Sequence, residues 1–418
     1  ALNKYLNEDG LDDQDKGFVT ELVYGIIEKK RYLDYMINKV SKIKVRKMQH
    51  SVKLVLKMGV YQLVYMDGVT DSVNIMKKLD KRSASFVNAV LRNISRNLDE
   101  VKDISLNTVD KLAIYYSYEN WIVENLVKEY GFERTEAILR ALSQKPNIYL
   151  RVNRTKLRPG QSMDYLVGQI IDRLIDQGLE ASRVEGLEEA IKVKGLKSID
   201  KHPLFREGYV SVQDISSILV AKVMNPKRES RVLDLCAAPG GKSTHIGELM
   251  ENTGHLISQD IFDHKIKLMN TYARRLGLNN MEAKLGDALV LNEDYIGKFD
   301  YVLCDVPCSG MGIVRRKPEI KYKKEEEVEN LPDLQYQILE NASSYLKEGG
   351  ILIYSTCTIF KQENTDVVDR FLNNHKDFDL DDLGPIKEFL GIGDKGLVKI
   401  LPDRYEMDGF FISRMKKI

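Results

Sequence analysis

Cys308 and Cys357 stand in two short loops, D-V-P-C-S-G and S-T-C-T, each just after an apolar run (301–304 and 351–354) that reads as a buried strand. Asp305 opens the first loop, and Asp234, Asp260 and Asp287 close other runs of the same kind. In an open α/β sheet the ligand lies beyond the carboxyl ends of the strands. Asp234, Asp260, Asp287, Asp305, Cys308 and Cys357 are therefore expected to meet in one crevice. Two thiols and a carboxyl group suit one chemistry in particular. A thiolate can add at carbon 6 of a pyrimidine and make carbon 5 enamine-like, able to attack an electrophilic methyl group. An acid near N3 would stabilise the charge of that addition, and a base must then remove the carbon 5 proton so that the thiol can leave. Methylation at nitrogen or oxygen needs no cysteine. The two other cysteines have plainer readings: Cys304 as a core-facing strand residue, Cys236 as a small wall of the ligand pocket.

The element that must position these groups is Arg231 to Lys242, RVLDLCAAPGGK. Val232, Leu233 and Leu235 form a strand, Ala237-Ala238-Pro239-Gly240-Gly241 a loop, and a helix opens at Ser243-Thr244. Glycine lets a ligand approach the backbone closely. Asp260, about twenty residues on, is placed for a ribose diol, and Asp287 for an adenine amino group. Gly241-Lys242-Ser243-Thr244 resembles the end of a P-loop, but Cys236 stands where a P-loop needs glycine. The G-x-G-x-x-G of dinucleotide folds is absent too. S-adenosylmethionine (SAM) fits best. Strands and helices alternate through this half, so a Rossmann-like, mostly parallel seven-stranded sheet is expected.

The chain has 418 residues, 30% charged and 43% apolar, with a formal net charge of +1. That suggests two or three domains and gives no whole-molecule attraction for nucleic acid. No apolar run approaches a membrane span. The start, ALNKYLNEDG, is polar and not a signal peptide; it lacks methionine, and a missing beginning is one reading. Four cysteines without a C-x-x-C pair point to a reducing cytoplasm, and six histidines away from them give no zinc site. No metal is expected.

Residues 1–100 lack proline and repeat apolar positions at helical spacing, as in a bundle. Ten basic residues (Lys29, Lys30, Arg31, Lys39, Lys42, Lys44, Arg46, Lys47, Lys53, Lys57) read either as a solvated face or as an RNA-phosphate surface. Residues 101–205 read as a helical linker, with Trp121 a packing anchor, followed by a small α/β module. That module is an RNA platform or a brace, with Arg151, Asn153 and Arg154 as candidate nucleic-acid contacts. Residues 206–418 form the catalytic domain.

LDLCAAPGGKSTHI, DVPCSGMGIVRRKPEIKY and YSTCTI, with Glu363-Asn364 and Asp408-Gly409-Phe410-Phe411, resemble the RNA cytosine-5 methyltransferases of the RsmB/Sun/NOL1 superfamily. The likeness covers about 205 to 418. DKGFVTELVYGII and SFVNAVLRNI resemble the NusB-like RNA-binding domain. The resemblance implies a SAM-dependent enzyme that methylates 16S rRNA, at cytosine 967, as a cytoplasmic monomer. Cys357 would be the nucleophile and Cys308 would assist product release. Cys236, Ala237, Ala238, Pro239, Gly240, Gly241, Lys242, Asp260, Asp287 and Asp305 would contact SAM, and Asp305 would also face the cytosine. Arg315, Arg316 and Lys317 would line the RNA approach or form a solvated loop. Relatives carry a longer helical segment after Met66-Asp67-Gly68, and Val306 replaces their alanine. The rivals are the same chemistry on tRNA or another rRNA cytosine, and a non-catalytic RNA-binding assembly factor.

Overall fold

The computed structural model describes residues 2, 5–6, 10–66, 71–196, 199–392 and 396–418. The shortening after Met66 concerns Asp67 and Gly68, which lie outside the described residues. The chain divides into two compact units, Ala1–Ser143 with Arg316–Glu325, and Gln144–Arg315 with Glu326–Ile418.

The first unit is helical. Helices Asp13–Glu28, Lys30–Val40, His50–Tyr65 and Ala84–Arg96 carry apolar residues three and four apart. Leu33, Met36, Leu56, Val60, Val87 and Ile94 from these helices are fully buried in one core. Asp12 and Thr108 cap helix starts by accepting from the Asp15 and Lys111 amides. The segment 316–325 belongs to this unit although it is remote in sequence. Glu119 N–H donates to the Lys321 carbonyl, Trp121 Nε1 to the Lys323 carbonyl and Tyr322 Oη to the Ile27 carbonyl. Trp121 is thus an anchor, as expected.

The second unit holds two sheets. In the smaller, strands β1 (Ile148–Val152), β2 (Glu180–Val184), β3 (Leu187–Lys194) and β4 (Val210–Val212) run antiparallel in the order β2-β3-β1-β4. Helix Met163–Ile175 buries Leu166, Val167, Ile170 and Leu174 in the same core as β1 and β3. From sequence, 208–214 reads as a strand leading into a helix, and β4 followed by helix Ile215–Met224 agrees. Its place beside β1 in the small sheet is a pairing across some sixty residues that local periodicity cannot disclose.

The larger sheet contains β5 (Arg231–Asp234), β6 (His255–Asp260), β7 (Met281–Leu285), β8 (Phe299–Asp305), β9 (Leu346–Thr356), β10 (Phe378–Leu380), β11 (Leu397–Ile400) and β12 (Phe410–Lys417). Seven strands follow the order β10-β12-β9-β8-β5-β6-β7, and β11 pairs with β12 as an eighth. Strands β5 to β9 are parallel, and β12 is antiparallel to β9. The Rossmann-like expectation holds, with one strand more than seven among the described residues. Chain order reverses between β5 and β8, which makes their carboxyl ends the switch point. Helix Ile215–Met224 is apolar almost all round and correspondingly buried.

Candidate active site

The carboxyl ends of β5 to β9 bring the expected groups together. Strand β5 ends at Asp234, which is fully buried and accepts from Ser243 Oγ at 2.6 Å. Burial first, and Asp305 nearby, push the Asp234 carboxyl up to about 7. The loop after β5 turns through Gly240, whose φ of +102° suits glycine, into helix Gly241–Leu249. Asp260, at the end of β6, accepts from the Ala238 and Phe262 amides at 3.3 and 3.2 Å, with Lys265 Nζ 3.4 Å away. Asp287 lies just beyond β7 and accepts from the Leu289 amide at 2.9 Å.

These groups border a cleft of about 180 Å³ whose lining includes Cys236, Asp260, Phe262, Asp287, Pro307 and Ile338. A Cβ on Gly286, at its edge, would fall 2.5 Å from the Gln259 side chain. An apolar slot with carboxylates on its wall suits a nucleoside, which offers a flat ring and a hydroxyl-bearing sugar. The residues present therefore fit SAM. Among the described residues, no group of three or more His, Cys, Asp or Glu is arranged to hold a metal ion.

Beside the cleft, Asp305 accepts from Lys242 Nζ at 2.6 Å on one oxygen and from Ser355 Oγ at 2.8 Å on the other. Burial disfavours the charge on Lys242, but Asp305 outweighs it and the ammonium is held above its ordinary value. Lys242 Nζ also lies 5.1 Å from the Phe410 ring centre. The Cys308 and Cys357 sulfurs are 3.2 Å apart. The hydrogen bond to Cys357, then burial, push the Cys308 thiol well up. Burial does the same to Cys236 and Cys304, with nearby carboxylates adding to the effect. Cys304 is fully buried, as its strand position implies, and Cys236 lines the cleft.

The two cysteine loops are stitched together by groups that sequence reasoning left without a role. Ser309 Oγ meets Thr358 Oγ1 at 2.7 Å, and the Gly312 amide donates to the Cys357 carbonyl at 2.9 Å. Glu363, buried, accepts from the Ser309 amide at 2.8 Å and from Gln335 Nε2 at 3.0 Å. Gln335 also donates to the Pro307 carbonyl at 2.9 Å. Glu363-Asn364 and Ser355, in YSTCTI, carry a family resemblance and no assigned role; Gln335 carries no signal in the sequence.

Several expected RNA contacts are corrected. Arg151 and Asn153 are only 1% exposed. Arg151 pairs with Glu248 at 2.7 Å, and Asn153 donates to the Gly208 and Leu276 carbonyls at 2.9 Å. Both are interior scaffold. Arg154 stays partly exposed and pairs with Glu188. Arg315 donates from Nε to Asp408 at 2.7 Å with both side chains nearly buried, so it does not line an RNA path; Lys317 is exposed. In the helical unit Lys57 is buried against Asp34 at 3.0 Å. Lys39 donates to the Glu100 and Asp103 carbonyls, and Arg31 to Asn120. Lys30, Lys42, Lys44, Arg46 and Lys47 remain exposed.

Residues 221–416 match the family model described as 16S rRNA methyltransferase RsmB/F. Residues 1–96 match the NusB family, and 118–200 the RsmF/B-like ferredoxin-like domain. A probable ribosomal RNA small subunit methyltransferase B of Bacillus subtilis (strain 168) is 38% identical over 434 residues, covering 100% of this chain and 94% of that protein. The chain belongs to the 16S rRNA methyltransferase RsmB/F family. The ribosomal RNA small subunit methyltransferase B of Escherichia coli O1:K1 / APEC is 31% identical, covering 97% and 92% of the two chains. The crystal structure of PH0851 superposes with a TM-score of 0.79 at 27% identity, over 99% and 93%. A methyltransferase homologue from Pyrococcus horikoshii gives 0.63 at 27%, over 75% and 100%. The RsmB/F family resemblance read from the motifs thus holds, and the chain is a methyltransferase. Among its described residues no helix is long and apolar enough to cross a membrane.

Proposed function

We propose that this chain methylates carbon 5 of a cytosine in 16S rRNA, the one at position 967, through a covalent bond between Cys357 and carbon 6. The observation that carries the reading is the Cys308–Cys357 contact beside Asp305, at the neighbouring ends of β8 and β9 next to the switch point. Bound SAM supplies an electrophilic methyl group to carbon 5. Cys236 to Lys242, Asp260 and Asp287 hold it in the cleft, with Asp305 at the border between cofactor and base.

The chain's own groups do the rest. Cys357 Sγ, as thiolate, bonds to carbon 6 of the ring. The proton shared by Lys242 and Asp305 moves toward N3 as negative charge gathers there. After methylation the carbon 5 proton passes to water, with Cys308 assisting its removal. The carbon–sulfur bond then breaks, Cys357 leaves as thiolate, and N3 returns its proton to the pair. The 3.2 Å contact between the two sulfurs supports a division of labour between the thiols at one reacting edge. Attack at carbon 6 needs an unstacked base, so the cytosine is single-stranded or flipped out.

The reading also assigns residues 1–100 as the NusB-like RNA-binding domain, 101–205 as linker and bracing module, and 206–418 as the catalytic domain. The exposed Lys42, Lys44, Arg46 and Lys47 are its RNA-facing basic groups. The enzyme works as a cytoplasmic monomer. The test is transfer of labelled methyl from SAM to unmethylated 16S rRNA, with tRNA and DNA as controls. Wild type should label only 16S rRNA. Cys357→Ala should be inactive, and Cys308→Ala should trap a denaturant-stable protein–RNA adduct. Label on tRNA would overturn the substrate, and an adduct formed by Cys357→Ala would overturn the nucleophile.

A further inference from the structure

The small sheet reaches the cofactor loop through a single side chain. Arg151, on β1, is 1% exposed, and its five N–H donors all find acceptors. Nε and Nη2 grip Glu248 at 3.1 and 2.7 Å. Nη2 also reaches Thr244 Oγ1 at 3.2 Å, while Nη1 donates to the Gly241 carbonyl at 2.9 Å and to Gln213 Oε1. Gly241, Thr244 and Glu248 are spaced three and four apart and share one face of helix Gly241–Leu249. Thr244 Oγ1 in turn donates to the same Gly241 carbonyl at 3.1 Å. On other faces of that first turn, Lys242 is tied to Asp305 and Ser243 to Asp234. Four consecutive residues, 241–244, are therefore each fixed by a side chain from elsewhere in the fold.

A surface brace would not need this arrangement. A buried guanidinium is tolerated only when its donors are matched, and its flat fork fixes the angle of whatever it grips. Here two of the gripped groups, the Gly241 carbonyl and the Thr244 hydroxyl, lie in the first turn of the helix, directly after the loop that leads on from Cys236 on the cleft wall. We propose that Arg151 is a positioning residue for the methyl-donor loop, setting the first helical turn through Gly241 and Thr244. The inference rests on the SAM reading above and adds to it a control point in the small sheet. Catalytic geometry is sensitive to such support, because a misplaced loop weakens cofactor binding without touching the reacting atoms.

The test uses the full chain and calorimetric titration with SAM, alongside thermal melting and filter binding of unmethylated 16S rRNA. Arg151→Lys keeps the charge but loses the fork. Thr244→Val removes one acceptor at nearly constant shape, and Thr244→Ser keeps the hydroxyl. Arg151→Lys and Thr244→Val should each weaken SAM binding by roughly tenfold, the scale of one lost buried hydrogen bond. Thr244→Ser should bind nearly as wild type, and RNA affinity should not move. If Arg151→Lys fails to fold, the Thr244 pair carries the test alone. Equal SAM affinity in wild type and the folded variants would reduce the clamp to a structural strut and overturn the proposal. Lost RNA affinity with SAM binding intact would overturn it in favour of a nucleic-acid role. No heat from wild type would remove the cofactor assignment and the clamp together.

Discussion

Cys308 Sγ lies 3.2 Å from Cys357 Sγ, close enough for one sulfur to hold its proton against the other. That hydrogen bond, more than burial, raises the Cys308 thiol. Alkylation by iodoacetamide near pH 7.5, read by peptide mass spectrometry, should therefore modify Cys357 ahead of Cys308. The margin should be on the order of tenfold, since the reacting species is the thiolate. In Cys357→Ala the bond is gone, the Cys308 thiol falls back toward its ordinary range, and its labelling should accelerate. Faster labelling of Cys308 in the wild type would overturn the assignment of Cys357 as the nucleophile.

Gly312 is where the first cysteine loop passes against the late strand region. A Cβ added there would lie 1.9 Å from the Gly409 carbonyl oxygen, and Gly409 N–H donates to the Gly312 carbonyl at 2.9 Å. Backbone meets backbone, so no rotamer change can relieve the clash. Gly312→Ala should lower stability by at least about 2 kcal/mol, the range of overpacked interiors, and lower the melting temperature with it. Methyl transfer should fall as well, because the Gly312 amide holds the Cys357 carbonyl. Gly241 has open space where its Cβ would go. Gly241→Ala should melt like wild type, with any loss appearing in SAM binding. Unchanged melting of Gly312→Ala would contradict the close approach.

Lys321 is fully buried in the helical unit, its Nζ 3.2 Å from the Tyr116 carbonyl and 4.8 Å from the Tyr118 ring centre. Burial lowers its ammonium to about 7; Glu28 opposes this and Lys29 adds to it. The unfolded lysine titrates near 10.4. Between those values the unfolded chain binds more protons, so stability should rise as pH climbs from 7 toward 10. The gain is fully present only above the unfolded value and is lost as pH falls through 7. Its scale is a few kcal/mol, because each tenfold change in proton affinity corresponds to about 1.4 kcal/mol. Lys321→Met should flatten this slope in denaturant melts and be the more stable protein at pH 6 to 7. A wild-type curve that is level from pH 7 to 9.5 would show the lysine to be solvated.

The loops that carry the chemistry were legible because their geometry is local. An apolar run followed by an acid and a small-residue loop ends a strand wherever it occurs, and the sheet rule then gathers those ends. Gly277, with φ of +74°, stops helix Asp263–Leu276, as a glycine after a helical run does by local geometry alone. Arg151 and Asn153 misled for the opposite reason. A basic and an amide residue together look like a nucleic-acid contact until their partners are known, and those partners (Gln213, Glu248 and the Leu276 carbonyl) come from distant segments. Arg315 was misread in the same way, its buried partner Asp408 lying 93 residues on. Ser355, which orients Asp305, reads from sequence only as the first residue of the S-T-C-T loop.

The segment 316–325 has a consequence for how the protein is made. The helical unit has hydrogen bonds linking Glu119, Trp121 and Ile27 to residues 321–323. A ribosome that has released residue 143 has not delivered the last piece of this unit. At ordinary synthesis speeds that piece follows roughly ten seconds or more later. The first unit in sequence is thus among the last to be finished. A gene cut after Ser143 would leave each product with a defect, the helices without their strap and the catalytic part with a strap that has nothing to fasten.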